Sequence, residues 1–220
     1  MSAPDRPAAV LWDMDGTIID TEPYWMGEET AMVERAGGTW SHEQALELVG
    51  SDLRQTARVL QAKTPVTGSV EEIVDALLSR VIDSVRQEMP WRAGAAELIS
   101  ECAQAGVPMA LVTMSWQPLA KILLESLPAD TFRVVVTGDQ VAKGKPHPEP
   151  YLSAARQLGV SPADCVAIED SPTGVASALA AGVQTLAVSH MVAVEDAPQA
   201  HHLDTLEGMT LAGLAALFTG

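Results

Sequence analysis

The chain has 220 residues, 47% of them hydrophobic, enough to bury a sizeable core and too apolar for intrinsic disorder. Its net charge is −16, from 13 Lys and Arg against 29 Asp and Glu, so it lacks the basic surface that nucleic acids and anionic lipids require. Two cysteines cannot build a disulfide framework or a four-cysteine zinc site, no apolar run reaches the roughly 20 residues of a membrane span, and the first residues do not form a secretion signal, so the expected address is the cytoplasm.

The first apolar run, 8–12, ends in Asp13-Met14-Asp15-Gly16-Thr17. The segment 21–90 then contains no strand pattern. Gly37-Gly38 closes one helix, and Ser41-His42-Glu43-Gln44 and Ser69-Val70-Glu71-Glu72 both fit the capping box that opens another. Val70, Ile73, Val74, Leu77, Val81 and Val85 form one apolar stripe at helical spacing, and 64–68 reads as a loop. About 70 residues of helix therefore interrupt the chain after its first strand, a size that packs as a small domain.

From residue 91 onward strands and helices alternate. Ala95, Leu98, Ile99 and Cys102 recur at helical spacing before Gly106, and a strand is expected over 109–113. Further strands are expected over 132–137, 165–168 and 185–188. A helix over 151–158 stops at Gly159, and another opens at Ser171-Pro172 and stops at Gly182. The tail, 210–220, reads as a last helix. Nearly continuous apolar strands joined by helices indicate a parallel sheet covered on both faces, a Rossmann-like α/β core. The expected organisation is an α/β core from 1–20 and 91–220, with 21–90 as an inserted α-helical cap domain.

In an open parallel sheet, ligands bind beyond the carboxyl ends of the strands. Asp13 and Asp15 lie there after the first strand; read alone, Asp-x-Asp-Gly is as readily a turn. Glu169 and Asp170 follow the fourth strand, where Ser171 is explained as a helix cap but the two acids are not. Four acids at one sheet edge predict a divalent cation with oxygen ligands, for which Mg²⁺ is suited. Thr113-Met114-Ser115 ends the second strand with a hydroxyl and backbone N–H groups suited to an oxyanion. Lys145, in a segment stiffened by Pro146 and Pro148, can bring positive charge; a solvated surface lysine is the ordinary alternative.

The order Asp-x-Asp-Gly-Thr at 13–17, Thr113, Lys145-Pro146 and Glu169-Asp170-Ser171, with a helical insert after the first motif, resembles the haloacid dehalogenase-like hydrolase superfamily along the whole chain. Asp20-Thr21-Glu22-Pro23, the run 145–151 and Glu169-Asp170-Ser171-Pro172-Thr173-Gly174 are similar to the subgroup of β-phosphoglucomutase and small sugar or polyol phosphatases. The resemblance implies that Asp13 is a nucleophile taking the phosphoryl group as an aspartyl phosphate. It implies that Asp15 protonates the leaving oxygen and then activates water. Thr113 and the Met114 amide would hold the phosphoryl oxygens, and Lys145 would balance their charge. Mg²⁺ would be held by Asp13, the Asp15 carbonyl and Asp170, with Glu169 as a further or water-mediated ligand. Glu22, Trp25 and Arg54 are the cap residues expected at the substrate. A carboxylate at Asp15 argues against dehalogenation, because halide leaves without a proton.

The implied activity is Mg²⁺-dependent hydrolysis of a small phosphorylated metabolite, a sugar or polyol phosphate. No nucleic-acid or membrane partner is expected. The oligomeric state is left open, and a monomer suffices. The alternative is a sugar-phosphate mutase, whose pattern carries a histidine where this chain has Trp25. A non-catalytic binding protein is a third reading, opposed by the intact set Asp13, Asp15, Thr113, Lys145 and Asp170.

Overall fold

The computed structural model describes residues 6–194 and 197–218. Residues 1–5, 195, 196, 219 and 220 lie outside the described residues; they fall within the expected core segments, the last two within the expected final helix.

Strands form where apolar side chains alternate between two covered faces. They are β1 (Ala9–Trp12), β2 (Met109–Val112), β3 (Val134–Val136), β4 (Cys165–Glu169) and β5 (Gln184–Val188), each within two residues of its expected bounds. Every residue of β1, β2 and β4 is buried. A further strand, β6 (His201–Leu203), was not expected: it is three residues long and exposes both histidines, so no apolar run announces it. It pairs with β5 at the edge of the sheet.

Among the described residues the six strands form one parallel sheet in the order β3-β2-β1-β4-β5-β6. The chain moves outward from β1 through β2 to β3, then returns to the other side of β1 for β4. That reversal opens a crevice at the carboxyl ends of β1, β2 and β4. Trp12 is level with Leu111 and with Ile168, so Asp13, Thr113 and Glu169 emerge from neighbouring strands at the same edge.

Helices α1 (Glu22–Arg35), α2 (His42–Leu46), α3 (Leu53–Lys63) and α4 (Val70–Gln87) occupy the segment between β1 and β2 that precedes α5 (Ala95–Gln104). Both predicted capping boxes are present, Ser41 with Gln44 and Ser69 with Glu72. The stripe on α4 is buried at Ile73, Val74, Leu77, Val81 and Val85 and packs against α1 and α3; Val70, at its start, is only partly buried. Helices α6 (Gln117–Glu125), α7 (Glu149–Leu158), α8 (Pro172–Ala180) and α9 (Leu211–Leu217) complete the sheet's cover. Gly106, Gly159 and Gly182, the expected stops after α5, α7 and α8, all take the left-handed conformation. None of the described helices is long and apolar enough to cross a membrane.

The two chain crossings between the helical segment and the sheet run side by side. The Asp20 N–H donates to the Pro90 carbonyl at 2.7 Å and the Arg92 N–H to the Ile18 carbonyl at 2.9 Å. His190, from the loop after β5, meets both: its Nε2 lies 2.9 Å from Asp20 Oδ1 and its Nδ1 2.7 Å from Arg92 Nη1. On the far side the Thr173 hydroxyl donates to the Gly50 carbonyl at 3.1 Å, and α4 packs on α6. The helical segment thus sits over the carboxyl edge of the sheet.

Because α4 is the helix on which α1 and α3 pack, its burial outweighs its cap. Leu77→Ala is expected to cost about 2–5 kcal/mol, and Ser69→Ala, which removes the hydroxyl that accepts from the Glu72 N–H but keeps the backbone N–H that donates to the Glu72 carboxylate, about 1 kcal/mol. Urea unfolding of the two variants checks the order; a larger loss for Ser69→Ala would contradict it.

Candidate active site

The sheet edge gathers the acids. Asp13 follows β1, and its N–H donates to the Ile168 carbonyl at 3.0 Å, which holds it beside the end of β4. Glu169 and Asp170 come from that end, fully buried and 2% exposed respectively. Ligand oxygens of Asp13, Glu169 and Asp170 all lie within 4.8 Å of one another. The backbone passes this close to the carboxylates only at glycines: a Cβ on Gly16, at φ +82°, would lie 2.0 Å from Asp170 Oδ2, and one on Gly174 would lie 1.9 Å from Glu169 Oε2.

Lys145 enters the cluster from the loop after β3. Its ammonium donates to Asp13 Oδ1 at 2.5 Å and to the Val112 carbonyl at 2.9 Å, and lies 2.6 Å from Glu169 Oε1. Lys145 is therefore no surface lysine. Its loop is fixed by Glu149, whose carboxylate accepts from the Ala142 and Lys143 amides at 2.8 and 3.1 Å, and by Ser177, which donates to the His147 carbonyl at 2.7 Å. The Tyr151 hydroxyl donates to Glu169 Oε1 at 2.5 Å and so orients the carboxylate that faces Lys145.

Asp15 points elsewhere. Its Oδ1 accepts from the Thr21 hydroxyl at 2.5 Å and from the Trp25 indole N–H at 3.4 Å, and its Oδ2 from the Thr113 hydroxyl at 3.0 Å. Four acids were expected at this edge, Asp15 contributing its carbonyl to the metal; the carboxylates of the other three lie together. The Asp15 carboxylate is turned toward α1 and β2 by its three donors. The Thr113 hydroxyl is fully buried, donates to Asp15 and accepts from the Ser115 N–H at 2.9 Å.

A cleft of about 570 Å³, counting its open mouth, lies between this edge and the helical segment. Asp13, Asp15, Met114, Ser115 and Lys145 line it from the sheet, and Glu22, Trp25 and Glu29 line it from α1. Glu22 and Trp25, the cap residues expected at a substrate, both line this cleft. Arg54 is not among the lining residues. Its guanidinium carbon lies 4.7 Å from the centroid of the Trp116 ring and its Nε 3.9 Å from Glu71, so stacking and a surface charge hold it outside the cleft.

Burial dominates the electrostatics. It pushes Asp13 up to about 8; Lys145 pulls the other way, and Glu169 and Asp15 add to the rise. Burial also raises Asp170 well above the ordinary carboxylate range, helped by Asp13 and Glu169. Burial alone would lower Lys145, but Asp13 and Glu169 outweigh it and the ammonium is held charged. One ammonium faces three carboxylates, an excess of negative charge with an oxygen-only donor set. That chemistry fits a hard divalent cation. Burial pushes Glu22 up to about 8, with Asp15 the next cause, and Glu29 up to about 7, with the Trp40 indole pulling down.

Several residues carried no expected role. Thr21 and Tyr151 lie inside the motifs at 20–23 and 145–151, yet nothing local shows that their hydroxyls reach Asp15 and Glu169. Glu29 belongs to no motif; its spacing of seven from Glu22 was the available signal.

The folded state holds a proton on Glu22 that the unfolded chain, near 4.5, releases. Its ionisation therefore removes stability as pH rises from about 4.5, fully so above about 8. Glu22→Gln is expected to melt higher than the parent at about pH 9 in EDTA, with the gap closing toward about pH 4. A gap independent of pH in thermal unfolding would contradict the burial effect.

The family model for haloacid dehalogenase-like hydrolases matches residues 10–188. Hexitol phosphatase A of Escherichia coli (strain K12) is 34% identical over 206 residues, covering 90% of this chain and 89% of that protein. Hexitol phosphatase B of the same strain is 31% identical over 191 residues, covering 86% of each. The crystal structure of CbbY from Rhodobacter sphaeroides in complex with phosphate superposes with a TM-score of 0.84 at 30% identity, over 94% of this chain and 99% of that one. With most of its length matched by the family model and by these relatives, the chain belongs to the haloacid dehalogenase-like hydrolase family.

Proposed function

We propose that the protein is a Mg²⁺-dependent phosphatase that hydrolyses a small sugar or polyol phosphate through an aspartyl phosphate on Asp13. The observation that carries this reading is Asp13 itself: a carboxylate at the cleft floor, held through Oδ1 by the Lys145 ammonium at 2.5 Å, with Asp15 two residues away lining the same cleft. The likeness to two hexitol phosphatases supports the substrate class. In this reading 1–20 and 91–220 form the catalytic core and 21–90 the cap, divided where Asp20 pairs with Pro90.

In the first step an Asp13 oxygen forms a bond to phosphorus while the ester P–O bond breaks. Asp15 donates its proton to the departing alkoxide, which needs one to leave as an alcohol. In the second step Asp15, now ionised, takes a proton from water as that water bonds to phosphorus and the Asp13–phosphoryl bond breaks. Inorganic phosphate leaves with Asp13 and Asp15 restored. Splitting hydrolysis through a carboxylate in this way is an established use of aspartate.

Phosphoryl transfer depends on positioning and charge more than on unusual side chains. Lys145 supplies a fixed positive charge beside Asp13. The Thr113 hydroxyl, which here donates to Asp15, turns to a phosphoryl oxygen together with the Met114 amide. Mg²⁺ held by Asp13, the Asp15 carbonyl and Asp170 would supply the remaining charge neutralisation at the phosphoryl oxygens, with Glu169 engaged chiefly by Lys145 and Tyr151. Glu22 and Trp25 face the substrate from α1, and closure of the helical segment keeps bulk water out. Thr21 and Trp25 bond Asp15 from that segment, so its seating also sets the angle of the acid.

Asp13→Asn is expected to abolish phosphate release from sorbitol 6-phosphate while leaving the melting temperature within a few degrees of the parent. Substantial residual activity, in protein free of deamidation, would reject Asp13 as nucleophile. EDTA should silence the parent enzyme and added Mg²⁺ restore it; full activity in EDTA would remove the metal. With β-glucose 1-phosphate and a trace of the 1,6-bisphosphate, ³¹P NMR should show glucose 6-phosphate as a minor product at most. Its accumulation without free phosphate would replace the phosphatase by the mutase.

A further inference from the structure

Glu22, Trp25, Met26 and Glu29 recur on α1 at the spacing of one helix face, and all four line the cleft. At 1.5 Å of rise per residue this stripe spans about 10 Å. Its near end is fixed at the reacting groups, because the Trp25 indole N–H reaches Asp15 at 3.4 Å. Glu29 lies one further turn away from the chain crossing at Asp20.

Glu29 is 4% exposed, and its Oε2 is buried without a hydrogen-bond partner among the described residues. The Trp40 indole N–H lies close enough to lower the Glu29 pKa, but neither it nor Oε2 has a hydrogen bond of normal geometry. A buried carboxyl oxygen of this kind bears its full desolvation cost until a donor reaches it. The rest of the helical segment lines the cleft with the apolar Ala45, Leu48, Val49 and Leu53 and with the polar but uncharged Ser51 and Thr56. Among the lining residues the one cation is Lys145, which Asp13 and Glu169 already hold. The end of the cleft remote from Asp13 therefore offers an acceptor and no positive charge.

We propose that Glu29 is a specificity-determining residue that accepts a hydrogen bond from a substrate hydroxyl at the end remote from the phosphate. The site then takes monophosphates of hydroxyl-bearing chains and rejects phosphate esters with a second phosphate or a carboxylate at that end. The inference rests on the phosphatase reading above and adds to it the residue that reads the substrate's far end. A hydroxyl gives Oε2 its missing donor; above about pH 7, where Glu29 is ionised, a carboxylate brings a second unpaired anion into the same enclosed space, so the comparison belongs at about pH 8 or higher.

Sorbitol 6-phosphate and 6-phosphogluconate differ at the far carbon, hydroxymethyl in one and carboxylate in the other, and test this directly. The parent enzyme is expected to show a kcat/KM at least about 10-fold higher for sorbitol 6-phosphate, the scale of one hydrogen bond to a charged group. Glu29→Leu should lower the ratio of kcat/KM for sorbitol 6-phosphate to that for p-nitrophenyl phosphate roughly 10- to 100-fold. Glu29→Gln keeps an acceptor oxygen without the charge; it should recover much of that ratio and narrow the discrimination against 6-phosphogluconate. Equal parent kcat/KM for the sorbitol ester and the phosphogluconate overturns the inference, as does an equal loss of both sorbitol and nitrophenyl ester turnover in Glu29→Leu. If Glu29→Leu does not fold, the parent comparison and Glu29→Gln decide the matter. A parent enzyme that hydrolyses p-nitrophenyl phosphate without discriminating the other two sinks this inference alone. A parent that releases phosphate from none of the three sinks the phosphatase reading and this inference with it.

Discussion

One buried ammonium organises the edge of the sheet. Lys145 sits between Asp13 and Glu169 at 2.5 and 2.6 Å, with the Val112 carbonyl at 2.9 Å. Adjacent strands β1 and β4 bring three carboxylates together, and without an opposing charge they could not remain there ionised. A buried ion pair of this kind is weak evidence for stability, because desolvation offsets much of the attraction. Its effect is electrostatic: it opposes the rise that burial, Glu169 and Asp15 impose on Asp13 and fixes a positive charge beside Asp13 Oδ1. The supports of Lys145 follow from this demand. Glu149 and Ser177 pin its loop, and Tyr151 aims Glu169 at it.

The second organising constraint is the division of labour between the two aspartates after β1. Asp13 is tied to the sheet and to Lys145. Asp15 is tied to the helical segment through Thr21 and Trp25, and to β2 through Thr113. The carboxylate proposed to give a proton and then take one is thus oriented in part by helix α1, which also lines the cleft. The paired crossings at 18–20 and 90–92, braced by His190, are where movement of the helical segment would be felt.

The sequence made the central strands legible, because β1, β2 and β4 are buried on both faces and read as unbroken apolar runs. It hid β6, a short edge strand with two exposed histidines. The acids at the strand ends could be read from their positions after apolar runs, as could the capping boxes of α2 and α4. Contacts across the fold could not. Tyr151 lies 18 residues from Glu169 and Lys145 lies 132 from Asp13, separations that only the strand order resolves. The same limit affected Arg54, expected at the substrate and found stacked on Trp116, and the Asp15 carboxylate, whose bonds to Thr21, Trp25 and Thr113 were not expected. Glu29 offered only its spacing of seven from Glu22, because a buried, unpaired glutamate on a helix looks in sequence like any solvated one.

The proposed aspartyl phosphate on Asp13 is the central claim, and trapping it is the most direct test. Enzyme mixed with sorbitol 6-phosphate and Mg²⁺, quenched in acid and reduced with borohydride, should yield homoserine in place of aspartate at position 13, seen in the peptide by mass spectrometry. The acyl phosphate is the species that borohydride reduces; a free carboxylate is not. Reduction at another aspartate, or phosphate release with no reducible residue at any time point, would contradict the assignment of Asp13 as the group that receives the phosphoryl.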